Sequence, residues 1–291
     1  MTQGATLQHE AEALSAALPP LMADAERLAS TVSLGIHGRR KAGMGESFWQ
    51  FRRFRDEDSS TAIDWRQSAK SQHLFVRERE WEVAQSVWFW RDGSPGMDFR
   101  SGTVSKRDRA SLLALALASA LVRGGERVAF LSDIHAPASS RIALRRMALK
   151  LCDKASSVAL PPEAPMSRNA QFVWFSDFLS PLPAIDNVFR RFTLSGVGGY
   201  LVHIVDPAEE DFPYEGRTRF EAPNGETSET LGRAESVAST YRARFKAHAE
   251  TVALLARRQG WNYLAHRTDR APQTALVALY AEMSGAAYAR V

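Results

Sequence analysis

From residue 83 onward, apolar segments typical of buried strands alternate with segments of helical spacing. We predict strands at residues 83–90, 127–131, 171–176, 199–205 and 261–266. We predict helices at residues 106–122, 139–151, 182–191, 228–258 and 272–283. Parallel strands need long crossover connections, which helices commonly supply. The alternation therefore predicts an α/β, Rossmann-like fold in which a mostly parallel sheet carries helices on both faces.

The chain before residue 83 has a different pattern. Residues 7–31 predict two short helices, because Pro19 and Pro20 interrupt the apolar spacing. Residues 35–79 mix aromatic and basic side chains in a manner typical of an extended, half-exposed segment. We therefore divide the chain into an amino-terminal helical and extended segment, residues 1–82, and an α/β domain, residues 83–291, with a polar insertion around 207–230.

The single cysteine, Cys152, excludes an internal disulfide and a cluster of thiolate metal ligands. Such sparse use of cysteine favours a reducing compartment. The amino terminus lacks a basic leader with an apolar core, and no apolar run is long enough to span a bilayer. We therefore expect a cytoplasmic protein without a membrane segment. The net charge of +4 comes from 37 basic and 33 acidic residues, so it does not by itself indicate an anionic partner.

Acidic and hydroxyl side chains follow the predicted strands. These residues are Asp92, Ser94, Asp133, Ser176, Asp177, Asp206, Thr268 and Asp269. The carboxyl ends of parallel strands meet at one edge of a sheet, where ligands bind in such folds. Carboxylate and hydroxyl oxygens from one tight turn, as from Asp92 and Ser94, are ligands that Mg²⁺ accepts. The same residue types favour turns and helix caps, so a shared acidic site and a set of separate caps both remain open.

The strand ends carry a first resemblance. The pattern D-x-S-x-G-M after one strand, beginning at Asp92, and the pair Ser176 and Asp177 after a later strand resemble the von Willebrand factor A fold.

An upstream block narrows the resemblance to one family. Arg52, Phe54 and Asp58 are followed by an Ile-Asp-Trp triplet that contains Asp64 and Trp65. This block resembles the signature R-x-Y-x-x-G-D, then I-D-W, of the bacterial domain-of-unknown-function family fifty-eight (DUF58). The resemblance extends from residue 35 to the carboxyl terminus.

The resemblance to A domains implies a metal-ion-dependent adhesion site. Carried over by position, Asp92 and Ser94 match its first two ligands, and Asp177 matches the aspartate of its third loop. Ser139 or Ser140 stands where the second loop supplies a threonine hydroxyl.

One ligand is missing from the implied site, because Gly96 stands where the second serine of the motif is expected. The implied cofactor is therefore Mg²⁺ or Mn²⁺ with an incomplete ligand set, and an occupied site and a vestigial site both remain open. A basic side chain that filled this space would mark a site without metal. The nearest basic residues in sequence are Arg91 and Lys106.

The resemblance also implies a function. In A domains the cation catalyses nothing and instead keeps an open coordination position, which a partner protein fills with its own carboxylate. Genes of the DUF58 family, which this chain resembles, commonly accompany genes of MoxR-type AAA+ ATPases and of other A-domain proteins. We therefore expect a non-enzymatic adaptor that acts with a MoxR-type AAA+ ATPase in complex assembly or chaperone-like work.

A second hypothesis treats residues 35–79 as a nucleic-acid surface, since arginines neutralise phosphates and aromatic rings stack on bases. Four carboxylates between residues 56 and 64 interrupt this surface and would repel a phosphate backbone. We therefore expect the arginines to form ion pairs and nucleic acid not to be the partner. We also expect the indole of Trp65 to be buried, tying this segment to the α/β domain.

A third hypothesis is a metal-dependent hydrolase that uses the strand-end carboxylates. It requires a general base or nucleophile near the ion. The histidine candidates are His37, His73, His135 and His203, and none has a recognised spacing to the aspartates. His203 lies within an apolar strand and is expected in the core. We therefore expect no enzymatic activity.

Overall fold

The structure, a computed structural model, describes residues 20–31, 48–55, 63–79, 84–153 and 157–288. The chain divides into two compact units, one of residues 1–36 with 85–291 and the other of residues 37–84.

The strands are β1 (Phe48–Arg53), β2 (Phe75–Arg79), β3 (Ser86–Arg91), β4 (Arg127–Phe130), β5 (Gln171–Ser176), β6 (Gly198–Val205), β7 (Thr218–Glu221), β8 (Ser228–Leu231) and β9 (Asn262–Arg267). The helices are α1 (residues 20–31), α2 (Trp65–Ser68), α3 (Lys106–Arg123), α4 (Arg141–Cys152), α5 (Leu182–Leu194), α6 (Pro207–Asp211), α7 (Ala238–Arg258) and α8 (Pro272–Tyr288). Within the described ranges, none of these helices combines the length and the apolar character needed to cross a membrane.

The larger unit is built around a five-stranded sheet with the order β4-β3-β5-β6-β9. Every neighbouring pair in this sheet is parallel. The prediction of an α/β fold with a mostly parallel sheet flanked by helices is therefore confirmed. Because all five strands run in one direction, the residues that follow them lie at a single edge of the sheet.

Helices bury β3 and β5, the second and third strands of the sheet order. All residues of β3 and β5 are buried, which explains why both read as continuous apolar runs instead of alternating patterns. On one face, Phe192 of α5 lies 4.8 Å from Phe172, and Phe189 lies 5.7 Å from Trp174, measured between ring centroids. Helix α3 packs against α4 and α8, and most of its residues are buried. The strand ends are thereby held on a rigid core.

Helix α1 belongs to the larger unit, because Ala25 and Leu28 are part of its hydrophobic core. The boundary drawn at residue 82 from the sequence separates this helix from the unit into which it packs. The first of the two predicted amino-terminal helices lies outside the described residues.

The predicted helix at 228–258 begins ten residues too early. Residues 228–231 form β8 and pair antiparallel with β7, so they close the hairpin of the polar insertion. Helix α7 starts only at Ala238. Short polar segments have no strong period of their own, and here the partner strand decides the conformation.

The smaller unit contains the antiparallel pair β1 and β2 and the short helix α2. Arg52 pairs with Val76 in this ladder. Asp64 caps α2 by accepting a hydrogen bond from the backbone N–H of Gln67 at 2.9 Å. Trp65 has an exposed fraction of 65 %, so its indole is not buried within the smaller unit itself, and its predicted contact with the α/β domain stays a prediction.

Residues 32–47 and 56–62 contain Asp58, His37 and much of the basic and aromatic segment. They lie outside the described residues, so the nucleic-acid hypothesis stays a prediction.

Candidate functional site

Asp92 directly follows β3 and is buried beside β5. Its backbone N–H donates to the carbonyl of Phe175 at 2.8 Å, which continues the pairing of the two strands. One carboxylate oxygen accepts from the backbone N–H of Ser94 at 2.7 Å, and the other accepts from the hydroxyl of Ser176 at 2.6 Å. Burial and the charge of Asp177 raise the pKa of Asp92, although these hydrogen bonds act in the opposite direction. Both oxygens of Asp92 are thus engaged by donors of the protein.

Asp177 directly follows β5 and contacts a buried lysine. Its Oδ1 accepts from the backbone N–H of Leu179 at 3.1 Å, and its Oδ2 accepts from Nζ of Lys106 at 2.9 Å. Lys106 is the first residue of α3 and has an exposed fraction of 0 %. Its ammonium also donates to Oε1 of Glu209 at 2.5 Å. Burial alone would lower the pKa of Lys106, but the two carboxylates outweigh it and raise the pKa, so the ammonium stays charged.

Glu209 is held in place by a capping box at the start of α6. The side chain of Asp206 accepts from the backbone N–H of Ala208 at 2.9 Å, and Oε2 of Glu209 accepts from the backbone N–H of Asp206 at 3.0 Å. Asp206 also accepts from the backbone N–H of Ser101 at 2.9 Å. Asp206 is therefore a cap that orients Glu209 toward Lys106.

The loop after β3 passes close to Asp177. A Cβ atom added to Gly96 would lie 3.1 Å from Oδ2 of Asp177 and 3.9 Å from Oγ of Ser94. The structure thus brings Asp92, Ser94 and Asp177 together at the carboxyl edge of the sheet, and it leaves little room for the side chain of a second serine at position 96. We call Asp92, Ser94, Lys106, Asp177 and Glu209 the edge cluster.

The second-loop hydroxyls are not part of the edge cluster. Oγ of Ser140 accepts from the backbone N–H of Ala143 at 3.2 Å and caps α4. In the described part of the chain, no hydrogen bond joins Ser139 to Asp92 or Asp177. Ser140 is thus used to start a helix, and the expectation that Ser139 or Ser140 completes a ligand set with the aspartates stays a prediction.

The residues of the edge cluster do not fit a resident divalent ion. The ammonium of Lys106 already lies within hydrogen-bonding distance of Asp177 and Glu209, where it would repel a second cation. Both oxygens of Asp92 accept hydrogen bonds from the protein. Among the described residues, no group of three or more His, Cys, Asp or Glu side chains is arranged to hold a metal. The expectation of a Mg²⁺ or Mn²⁺ site at Asp92, Ser94 and Asp177 conflicts with this arrangement.

Glu209 was not foreseen from the sequence. Its signal was the capping pattern Asp206-x-x-Glu209 at the start of a helix, which indicates a cap but does not reveal the lysine that the glutamate contacts.

Asp133 belongs to a separate group on the loop after β4. It lies 2.7 Å from Nδ1 of His135 and accepts from Nε of Arg146 at 3.0 Å. Burial alone would raise the pKa of Asp133, but the hydrogen bonds from His135 and the charge of Arg146 lower it. Within the described residues, the side chain of His135 pairs with Asp133 and makes no hydrogen bond to the edge cluster.

His203 is a core residue, as the sequence predicted, with an exposed fraction of 1 %. Its Nδ1 lies 2.6 Å from the hydroxyl of Tyr263, and its ring packs edge-on against Phe178 with centroids 5.7 Å apart. Burial lowers the pKa of His203 to about 4, so the ring is neutral at pH 7.

His203→Phe is expected to make stability less sensitive to acid. The pKa of His203 is about 4 in the folded chain, whereas an unperturbed histidine, as in the unfolded chain, has a pKa of 6.5. As the pH falls, the unfolded chain therefore binds a proton before the folded chain does. The wild type therefore loses stability from pH 6.5 down to about 4. On going from pH 7 to pH 5, the wild type should therefore lose about 2 kcal/mol more unfolding free energy than His203→Phe loses. Urea denaturation at both pH values measures this shift.

His73→Phe, at an exposed position of the smaller unit, is the control and should show the pH dependence of the wild type. If the unfolding free energies of His203→Phe and the wild type changed equally between pH 7 and pH 5, the lowered pKa of His203 would be contradicted. The lost hydrogen bond to Tyr263 lowers stability at every pH and does not change the slope.

Comparison with known proteins gives one family and distant structural neighbours. The profile of a family described as "Protein of unknown function DUF58" matches residues 50–251. No curated protein matches the chain.

Among solved structures, the chain is similar to the conserved hypothetical protein BatB from Bacteroides thetaiotaomicron, with 13% identity, a TM-score of 0.39, and coverage of 69% of this chain and 100% of that one. The chain is also similar to an aerotolerance-related membrane protein from Bacteroides fragilis NCTC 9343, with 14% identity and a TM-score of 0.38. The match covers 69% of this chain and 100% of that one.

Proposed function

Because this chain belongs to the DUF58 family, we propose that it is a non-enzymatic protein-interaction module whose contact surface is the carboxyl edge of the central sheet. The partner we propose is a MoxR-type AAA+ ATPase, which acts with other A-domain proteins in complex assembly or chaperone-like work. The family resemblance supports this partner, because genes of that family accompany MoxR-type AAA+ ATPases and other A-domain proteins. The von Willebrand factor A-like interpretation is supported by the position of Asp92, Ser94 and Asp177 on neighbouring loops at one edge.

The observation that carries the proposal is a set of exposed apolar side chains on the loops around the edge cluster. We call them the apolar rim: Phe99, Ile134, Val158 and Leu179, with exposed fractions of 37 %, 95 %, 53 % and 53 %. Exposed apolar side chains on the loops where parallel strands end are candidates for contact with a protein partner. The surface therefore fits a macromolecular partner.

The loops that carry Phe99, Val158 and Leu179 are tied to neighbouring parts of the larger unit. The backbone N–H of Gly93 donates to the carbonyl of Val158 at 2.9 Å, and Asp177 holds the backbone of Leu179. The aromatic ring of Phe99 lies 6.0 Å from the ammonium of Lys106. A contact surface that is held in place before binding loses less entropy when a partner docks.

The internal hydrogen bonds of the edge cluster favour a binding role over catalysis. Its carboxylates accept hydrogen bonds from protein donors, and its lysine is charged and buried between two of them. A general base needs a free lone pair directed at a substrate, and a nucleophilic lysine needs to be neutral and accessible.

The test compares two leucines that are both exposed but lie at opposite edges of the sheet. Leu179 follows β5, whereas Leu194, 87 % exposed, ends α5 shortly before β6 begins. We expect Leu179→Asp to weaken binding of a purified MoxR-type AAA+ ATPase by about tenfold or more, since a charge then replaces an apolar side chain that the partner covers in the complex. Leu194→Asp should change the affinity by less than about twofold. Biolayer interferometry measures both.

Equal effects of Leu179→Asp and Leu194→Asp would move the interface away from the carboxyl edge. No binding by the wild-type chain would reject this class of partner. Circular dichroism of each variant excludes loss of the fold as the cause.

A further inference from the structure

Lys106 occupies a position that is costly for a lysine. It is the first residue of α3, where the helix dipole repels positive charge. Its exposed fraction is 0 %, and lysine is almost never fully buried unless it is paired. Two carboxylates offset these costs, Asp177 at 2.9 Å and Glu209 at 2.5 Å from Nζ. The carboxylates and the ammonium therefore depend on one another.

The edge cluster joins three separate parts of the chain through this one cation. Lys106 begins α3, Asp177 follows β5, and Glu209 lies in α6. The contacts of Lys106 to Asp177 and Glu209 span 71 and 103 residues of sequence. A divalent ion in an adhesion-type site performs the same task of joining strand-end loops through its charge. Unlike such an ion, the buried ammonium presents no open coordination position to a partner.

We propose that Lys106 is the built-in cation of this site, so that its ammonium, instead of a divalent ion, holds Asp177 and Glu209 together. An ion placed at Nζ would meet carboxylate oxygens of both Asp177 and Glu209. Replacing the lysine by a small neutral residue therefore converts the cluster into a divalent-cation site, because one or two carboxylates with bound water are a sufficient anchor for such an ion.

The experiment measures Mn²⁺ binding by electron paramagnetic resonance and equilibrium dialysis, on chains first treated with EDTA. We expect no Mn²⁺ bound to the wild type at millimolar concentration and one Mn²⁺ per chain on Lys106→Ser. At ion concentrations about 100 times the dissociation constant, Mn²⁺ should raise the melting temperature of Lys106→Ser by about 5 °C or more. The melting temperature of the wild type should not change.

The double variant Lys106→Ser with Asp177→Asn is the matched control and should lose the bound Mn²⁺. If Lys106→Ser folds only when Mn²⁺ is present, that also supports the proposal, because the ion then replaces the lysine. A stoichiometric Mn²⁺ on the wild type that is lost in Asp177→Asn would overturn it. A folded Lys106→Ser chain that binds no Mn²⁺ would overturn it as well.

A second measurement rests on the proposed function. Affinity for the MoxR-type AAA+ ATPase should be the same with and without EDTA, provided that the nucleotide state of the ATPase is controlled separately. Absence of binding in both conditions would count against the partner and leave the Mn²⁺ result standing, whereas binding abolished by EDTA would count against the built-in cation.

Discussion

Lys106→Met is expected to lower the free energy of unfolding at pH 7 by about 3–5 kcal/mol. Methionine keeps most of the length and packing of the side chain and removes its charge. Asp177 and Glu209 are then buried without a cation, and a buried charge without a partner is strongly unfavourable. Urea denaturation followed by circular dichroism measures the loss.

Lys246→Met is the matched control. Its ammonium lies 3.9 Å from Glu250, with side-chain exposures of 79% and 68%. Exposed pairs contribute only about 0–1 kcal/mol, so this variant should be close to the wild type. Losses of equal size at positions 106 and 246 would show that the edge cluster contributes little to stability.

The loss in Lys106→Met should also depend on pH. Burial already raises the pKa of Glu209 above 4.5, and removing the cation raises it further. With the folded pKa above the unfolded one, the destabilisation is complete above the folded pKa and disappears as the pH falls through it. Relative to the wild type, the variant therefore regains stability on acidification from pH 7, and a loss that stays constant would contradict the buried-charge explanation.

Gly199→Ala is expected to lower the free energy of unfolding by about 3 kcal/mol. A Cβ atom at Gly199 would lie 2.2 Å from Cε3 of Trp261, far inside van der Waals contact. Trp261 cannot move away easily, since it is 2 % exposed and contacts Phe172, Phe189 and Phe192. Overpacking a dense core forces backbone shifts, and here these would separate β6 from its neighbours.

Gly198→Ala provides the comparison in the adjacent position. The atom nearest to its added Cβ is Oε1 of Gln171 at 2.9 Å, which belongs to a flexible side chain and can turn aside. We expect a clearly smaller loss in this variant. The double variant Gly199→Ala with Trp261→Leu should cost less than the sum of the two single changes, because the leucine removes the ring that the methyl group meets. Additive losses would reject the steric explanation.

Much of the fold could be predicted from local patterns, because most strands and helices of the larger unit carry their own hydrophobic period. Fully buried strands such as β3 and β5 appear as short apolar runs, and long amphipathic helices such as α7 have an unmistakable spacing over most of their length. The prediction failed at residues 228–231, where a polar segment became a strand only because β7 lies beside it. The spacing of residues within one segment does not show which other strand will pair with it.

The candidate site was predictable in part. Asp92, Ser94 and Asp177 could be named because a parallel sheet brings strand ends to one edge, whatever the details of packing. The partner of Asp177 could not be chosen, since Lys106 at a helix start resembles an ordinary surface lysine until α3 is packed. Trp65 begins α2, and the burial expected from its large aromatic ring is not found within the smaller unit.

The amino-acid sequence by itself determined the α/β class, the order of the elements along the chain and the acidic strand ends, because these follow from hydrophobic periodicity and from residue types within a few positions of each other. Only the tertiary structure decided which charge stands among those carboxylates. Packing of α3 and α6 carries Lys106 and Glu209 to Asp177 across 71 and 103 residues of chain. Desolvation then makes the cation and the carboxylates necessary to one another, an effect that exists only where water has been excluded.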